Sequence, residues 1–141
     1  MASIIEITAP DSIARCYPVM AQLRPHLTRE AFVAQVLDQF ETQRYHLAAV
    51  LGGEEPVAVA GYRFGRCLAW GHFLYVDDLI TDEAHRGAGY GGQLLDWLVA
   101  KAREGGCAEF HLDSGVHRFA AHRFYLTKRM DITSHHFGMK L

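Results

Sequence analysis

The sequence lacks long apolar runs: the longest, such as residues 47–51 and 73–76, are far too short to cross a bilayer. It lacks an excess of basic charge. Fourteen Lys and Arg face sixteen Asp and Glu, a formal net charge of −2, which excludes a protein whose main task is to coat nucleic acid. It is poor in cysteine. Cys16, Cys67 and Cys107 are odd in number, lie far apart and form no C-x-x-C, so a disulfide framework, a zinc ribbon and a redox motif are all unsupported. A reducing, cytoplasmic setting is the expectation. The opening Met-Ala-Ser-Ile-Ile-Glu has no basic flank and no long apolar core, so no secretory signal is read there. No repeat, low-complexity tract or linker interrupts the chain. Residues 1–141 read as a single domain, long enough to bury a core without disulfides or a structural metal.

What is present is a clear succession of periodic segments. Residues 3–8 alternate Ile5 and Ile7 against Glu6 and Thr8, the period of a strand. Pro10, Asp11 and Ser12 signal a helix start, with Asp11 or Ser12 as the expected cap. Ile13, Tyr17, Met20 and Leu23 follow at helical spacing, and Pro18 within them is expected to kink or shorten that helix. Thr28 is the expected cap of a second helix, whose apolar stripe is Phe32, Val33, Val36, Leu37 and Phe40. Residues 45–51 and 57–64 flank a Gly-Gly-Glu-Glu-Pro turn and read as a hairpin, and residues 70–81 as a longer strand. Leu94, Leu95, Leu98 and Ala102 define an amphipathic helix closed by Gly105 and Gly106. A strand over 109–113, a short helix over 118–128 and a final strand over 132–141 complete the reading. Strands that are mostly antiparallel, followed by a β-α-β unit, give an α+β or mixed α/β fold.

Between the long strand and the amphipathic helix lies the most informative segment, residues 79–92, with four glycines at its end. Glycine lets backbone N–H groups approach a ligand closely and adopt positive φ, and the following helix start adds unpaired donors and partial positive charge. Arg86 can add charge-assisted bonds to the same anion. A P-loop is excluded because Gly91 and Gly92 are followed by Gln93 rather than Lys-Ser/Thr. The dinucleotide pattern G-x-G-x-x-G is met by Gly87, Gly89 and Gly92, with Asp113 about 20 residues on. Its context is wrong: residues 82–86 separate the glycines from their strand, and 49 residues after Gly92 leave no room for the further β-α units.

Arg86, Gly89 and Gly91 also form R-x-x-G-x-G, placed after a strand and opening a helix. About 30 residues on, Ala121-His122-Arg123-Phe124-Tyr125 forms A-x-x-F-Y. This arrangement, together with the β, two helices and hairpin of the first half, resembles the GNAT N-acetyltransferase superfamily over essentially the whole chain. Residues 121–126 and Ser134-His135-His136-Phe137 are similar to the aminoalkylphosphonate N-acetyltransferases, a local likeness that does not fix the acceptor. The resemblance implies a mainly antiparallel central sheet flanked by helices and splayed at an acetyl-CoA site, with acetyl-CoA as co-substrate. Leu79, Ile80 and Thr81 would pair with the pantetheine arm, and Arg86, Gly87, Ala88, Gly89, Tyr90 and Gly91 would hold the pyrophosphate. An Asn that many relatives carry shortly before the A-x-x-F-Y helix is replaced here by His117 and Arg118, so its contacts are not carried over.

Transfer to an amine needs the amine deprotonated, a donor for the oxyanion and a proton for the departing thiolate. Asp77 and Asp78 are the base candidates. Successive strand residues point to opposite faces, so one should face the acceptor and the other away unless a bulge intervenes. A histidine or water in the base role stays open. Tyr125 is the acid candidate by resemblance. No metal is expected: His135 and His136 are adjacent in a predicted strand, and the convergence of His111, His117 and His122 is the one alternative. Cys107 has no visible base beside it. Residues 1–85 carry 11 acids against 6 bases, which favours a small cationic amine over tRNA; residues 23–28 and 63–71 are expected to shape its site. Neither a membrane nor nucleic acid is expected as a partner, and a homodimer stays open. The alternatives are a non-catalytic acyl-CoA-binding module and acetylation of a protein or tRNA amine.

Overall fold

A computed structural model describes residues 2–141, which form two compact units, divided between His111 and Leu112. In the larger unit the order is β1 (Ser3–Ile7), α1 (Pro10–Leu23), α2 (Arg29–Thr42), β2 (Tyr45–Gly52), β3 (Glu55–Cys67), β4 (Gly71–Thr81), a 3₁₀ turn (Glu83–His85), α3 (Tyr90–Glu104) and β5 (Glu109–Leu112). The sheet runs β1-β2-β3-β4-β5, and each successive pair from β1 to β4 is antiparallel.

Both faces of this sheet are covered, which is why β2 reads as a continuous apolar run. On one face Ile7, Leu47, Ala49, Val59 and Ile80 pack with Ile13, Cys16 and Met20 of α1 and Phe32 and Val36 of α2. The alternate positions Ala48, Val50, Ala58, Ala60 and Leu74 are equally buried, and α3, which packs on β2, β3 and β4, buries Leu94, Leu95, Leu98 and Ala102. The alanines on this second face are small because a helix must lie close above them.

Helix ends follow the sequence in part. Thr28 caps α2, its hydroxyl accepting from the Ala31 N–H at 3.1 Å. At α1 the cap is Ala9, with no side-chain bond, and Pro10 takes the first turn, so neither Asp11 nor Ser12 caps. Pro18 does not shorten α1. A proline cannot donate to the carbonyl four residues back, and that carbonyl, Ala14 O, accepts instead from Arg29 Nη1 at 2.8 Å.

The smaller unit holds α4 (Phe119–Thr127). The expected strand over 132–141 is not formed: these residues have no regular structure. Phe137, Met139 and Leu141 alternate as a strand would, yet all are exposed, as is Ile132. Alternation alone cannot make a strand without an edge to pair with, and their own unit supplies none.

Candidate active site

The glycine loop is open where a ligand would need it open. Gly87 and Gly89 adopt φ of 87° and 86°, the left-handed region that favours glycine, and a Cβ at either would meet nothing within 4 Å. Gly89 is the N-cap of α3 and offers no side-chain cap. Among the described residues, the N–H groups of Gly87 to Gly92 donate to no backbone acceptor. A helix of 15 residues therefore presents its positive end and a row of unpaired donors to solvent, with exposed Arg86 alongside. These residues fit a pyrophosphate group.

The entry to the loop is pinned. Gln22 Nε2 donates to Asp82 Oδ1 at 2.6 Å, the Glu83 N–H donates to Gln22 Oε1 at 2.9 Å, and His85 Nδ1 lies 2.6 Å from Asp82 Oδ2. The Gln22 and His85 hydrogen bonds hold the Asp82 carboxyl below its usual range. The 3₁₀ turn is thus tied to α1 while the apex of the loop is free.

The end of β4 has one free edge. Leu79, Ile80 and Thr81 pair on one side with Ala60, Val59 and Ala58 of β3. On the other side lies β5, only four residues long against eleven in β4, so it spans about 13 Å against about 36 Å. The Ala108 N–H, just before β5, donates to His72 O at the start of β4. So short a strand, beginning level with His72, ends well before Leu79. The backbone groups on that side are available for an amide-bearing ligand to pair with.

Asp77 and Asp78 correct the expectation of opposite faces. In the register of β3 with β4, Gly61 faces Asp78 and Tyr62 faces Val76, so Asp77 is an extra residue. Val76 and Leu79 both lie opposite residues of the α3 face, and the two aspartates between them turn together toward the α1–α2 side. Asp77 Oδ2 accepts from Arg63 Nε at 2.8 Å. Burial pushes the Asp77 carboxyl up, against the pull of Arg63.

Asp78 is held by two residues, Arg24 at the end of α1 and Tyr45 of β2. Its Oδ1 accepts from Arg24 Nε at 2.9 Å, its Oδ2 from Tyr45 Oη at 2.7 Å, and Arg24 Nη2 donates to Asp77 O at 2.9 Å. Tyr45 is buried, and burial with the adjacent carboxylate pushes its phenol well up, so it stays a donor. Space for this contact comes from Gly61: a Cβ there would overlap Tyr45 Oη and lie 2.7 Å from Asp78 Oδ2. Gly61→Ala is therefore expected to cost about 1–3 kcal/mol, read as a fall of several degrees in Tm, and to displace Tyr45 from Asp78. An unchanged Tm would contradict this packing.

Above Asp78 opens a cavity of about 310 Å³, walled by Met20, Leu27, Phe32 and Val36 and edged by Arg24, His26, Gln35 and Gln39. Arg24, His26 and Leu27 of the segment 23–28 line this cavity. No residue of 63–71 lines it, and residues 63–67 of that segment continue β3. Arg24, Tyr45 and Arg63 are site residues that the sequence reading did not single out.

Tyr125 lies in α4 of the smaller unit, half-buried. Burial raises its phenol above the usual value, against the pull of Arg118, so it is protonated across the neutral range and able to donate. Of the histidines, His111 stacks on Trp70 with ring centroids 3.5 Å apart and bonds Glu109, and His122 Nε2 lies 2.8 Å from Gly115 O. Among the described residues no three His, Cys, Asp or Glu side chains gather as a metal site, and no helix is long and apolar enough to cross a membrane. Burial raises the Cys107 thiol, which opposes a nucleophilic role.

Known proteins share this architecture. An uncharacterized N-acetyltransferase of Bacillus subtilis (strain 168) is 31% identical over 128 residues, covering 91% of this chain and 90% of that protein. The crystal structure of a transcriptional regulator from Bacillus halodurans C-125 superposes with a TM-score of 0.89 at 23% identity, over the whole of both chains. An aminoglycoside N-acetyltransferase crystallised with CoA gives 0.87 at 11% identity, over 100% of this chain and 95% of that one. At such identities the two structures show the fold, a mixed α/β sheet flanked by helices. The model of the acetyltransferase (GNAT) family, whose acyl donor is acetyl-CoA, matches residues 9–130, from the start of α1 past the end of α4. With its glycine loop and the strands β2 to β5 inside that match, the chain belongs to the GNAT acetyltransferase family and is an N-acetyltransferase.

Proposed function

We propose that the protein transfers the acetyl group of acetyl-CoA to a primary amine of a small molecule held in the cavity above Asp78. The observation that carries this reading is the placement of Asp78: it lines a half-open cavity and sits on β4 immediately before the free edge at Leu79, Ile80 and Thr81. Arg86 and the backbone of Gly87, Ala88, Gly89, Tyr90 and Gly91 bind the pyrophosphate. The edge of Leu79, Ile80 and Thr81 pairs with the pantetheine amides and donates an N–H to the acetyl oxygen, where charge develops. Acetyl-CoA supplies the activated acyl group; the rest is done by the chain.

Asp78 receives the ammonium. Both of its oxygens already accept one hydrogen bond, and each has a further lone pair for the amine or for a water that carries the proton away. Asp77, paired with Arg63 and not lining the cavity, has the supporting role. Tyr125 donates the proton to the departing sulfur. A volume of about 310 Å³ supports a small acceptor over a protein or tRNA amine. The family match over residues 9–130 supports reading the chain as one acetyltransferase domain, and the free thiols of Cys16, Cys67 and Cys107 support a cytoplasmic setting.

The test is amine-dependent release of free thiol from acetyl-CoA by three proteins. Asp78→Asn should lower kcat/KM by about 10², most at low pH, where amine deprotonation limits the rate. Asp77→Asn should stay within a few-fold of wild type. Silence of both across pH would remove the aspartates from the base role, and thiol release independent of any amine would remove the transferase reading.

A further inference from the structure

The acids that outnumber bases in residues 1–85 do not gather in the acceptor cavity. Among the residues that line it, Asp78 is the only acid and Arg24 the only Lys or Arg, and the two are paired at 2.9 Å. Immediately beside them Asp77 and Arg63 are paired at 2.8 Å. The carboxylates and guanidinium groups of the cleft balance one another. A simple ammonium or a polyamine would bring uncompensated positive charge into it, whereas a ligand carrying both signs would not.

The unused valences have a matching layout. Arg24 spends Nε on Asp78 Oδ1 and Nη2 on Asp77 O, and its Nη1 makes no hydrogen bond among the described residues. Asp78 retains acceptor capacity on both oxygens. An available cationic donor and an available anionic acceptor thus lie side by side at one end of the cavity. The wall beyond them is apolar: Met20, Leu27, Phe32 and Val36. On the rim Gln35 Nε2 donates to Gln39 Oε1 at 3.0 Å, so this pair of amides offers no charge.

We propose that the acceptor is a small zwitterion, a primary amine with a carboxylate-type anion on the adjacent carbon and an apolar side chain. This rests on the transferase reading above. The ammonium sits on Asp78, the anion on Arg24 Nη1 and the side chain against the apolar wall. In the transfer the ammonium loses one proton to solvent by way of Asp78, its lone pair forms the bond to the acetyl carbon, and the carbon–sulfur pair leaves on sulfur, which takes a proton from Tyr125. The nitrogen gives its second proton to solvent by the same route and solvent reprotonates Tyr125, so that amide, free thiol and one net proton result. Arg24 acts as a specificity-determining residue by holding the anion.

The experiment compares thiol release with L-phenylalanine and L-methionine against their counterparts lacking the anion, 2-phenylethylamine and 3-(methylthio)propylamine, and against spermidine. The zwitterions should have kcat/KM at least about tenfold higher, the scale of one charge-assisted hydrogen bond. Arg24→Gln should bring that ratio close to one, and Arg24→Lys should keep part of it. Should Arg24→Gln fail to fold, L-phenylalanine methyl ester repeats the comparison on the unaltered protein, because it removes the anion from the ligand instead. Equal or better use of the monoamines or spermidine, or a ratio unchanged in folded Arg24→Gln, overturns the proposal and leaves the transferase reading standing. Binding of acetyl-CoA with no thiol release for any amine in the panel overturns both.

Discussion

Gly89→Val should lower acetyl-CoA affinity by about 10² or more while the protein stays folded. Gly89 has φ of 86°, which a β-branched residue adopts only with strain of about 1–2 kcal/mol. An added Cβ meets nothing within 4 Å, so the strain falls on the backbone rather than on a neighbouring side chain, and the loop relieves it by moving. Movement of the N-cap of α3 withdraws the N–H groups that face the pyrophosphate, and losing one or two charge-assisted bonds accounts for the factor. Gly53→Val is the matched control. Its φ is 72°, its surroundings are equally empty, and it lies in the β2–β3 turn. It carries the same backbone strain and should leave acetyl-CoA affinity, measured by calorimetry, as in wild type. Equal losses in both variants would trace the effect to general destabilisation rather than to the loop.

Tyr125→Phe should lower the single-turnover rate by about 10², the low end for general acid catalysis, because a thiolate of pKa about 8.5 is already a fair leaving group. The substitution keeps the ring and removes only the O–H, so acetyl-CoA affinity should change little. Burial raises the phenol's pKa, so loss of the donor on the alkaline side lies above the ordinary tyrosine range in wild type and should be absent in Tyr125→Phe. Steady-state turnover is not sufficient, since slow product release can mask the chemical step. A wild-type single-turnover rate would reduce Tyr125 to a packing residue of α4.

The loop and the order of the larger unit's elements were legible in the sequence, because glycine spacing and apolar periodicity are local. The geometry at the aspartates was not. Alternation sends Asp77 and Asp78 to opposite faces, and only the register with β3 reveals the additional residue that turns them together. One signal was present: an isolated Gly61 inside a strand marks a bulge or a close approach, and here it marks both. Arg24 and Tyr45 were out of reach of local patterns, since they meet Asp78 across 54 and 33 residues of chain. Pro18 misled because its cost is offset by Arg29, which comes from the next helix. The pattern over 132–141 has the period of a strand and no edge to complete it.

The account stands most directly on where acetyl-CoA binds. A crystal structure with acetyl-CoA should place the pyrophosphate on the N–H groups between Gly87 and Gly92 beside Arg86. It should place the pantetheine arm along Leu79, Ile80 and Thr81, and the thioester at the mouth of the cavity above Asp78. A coenzyme bound elsewhere, or a thioester turned away from that cavity, would contradict it.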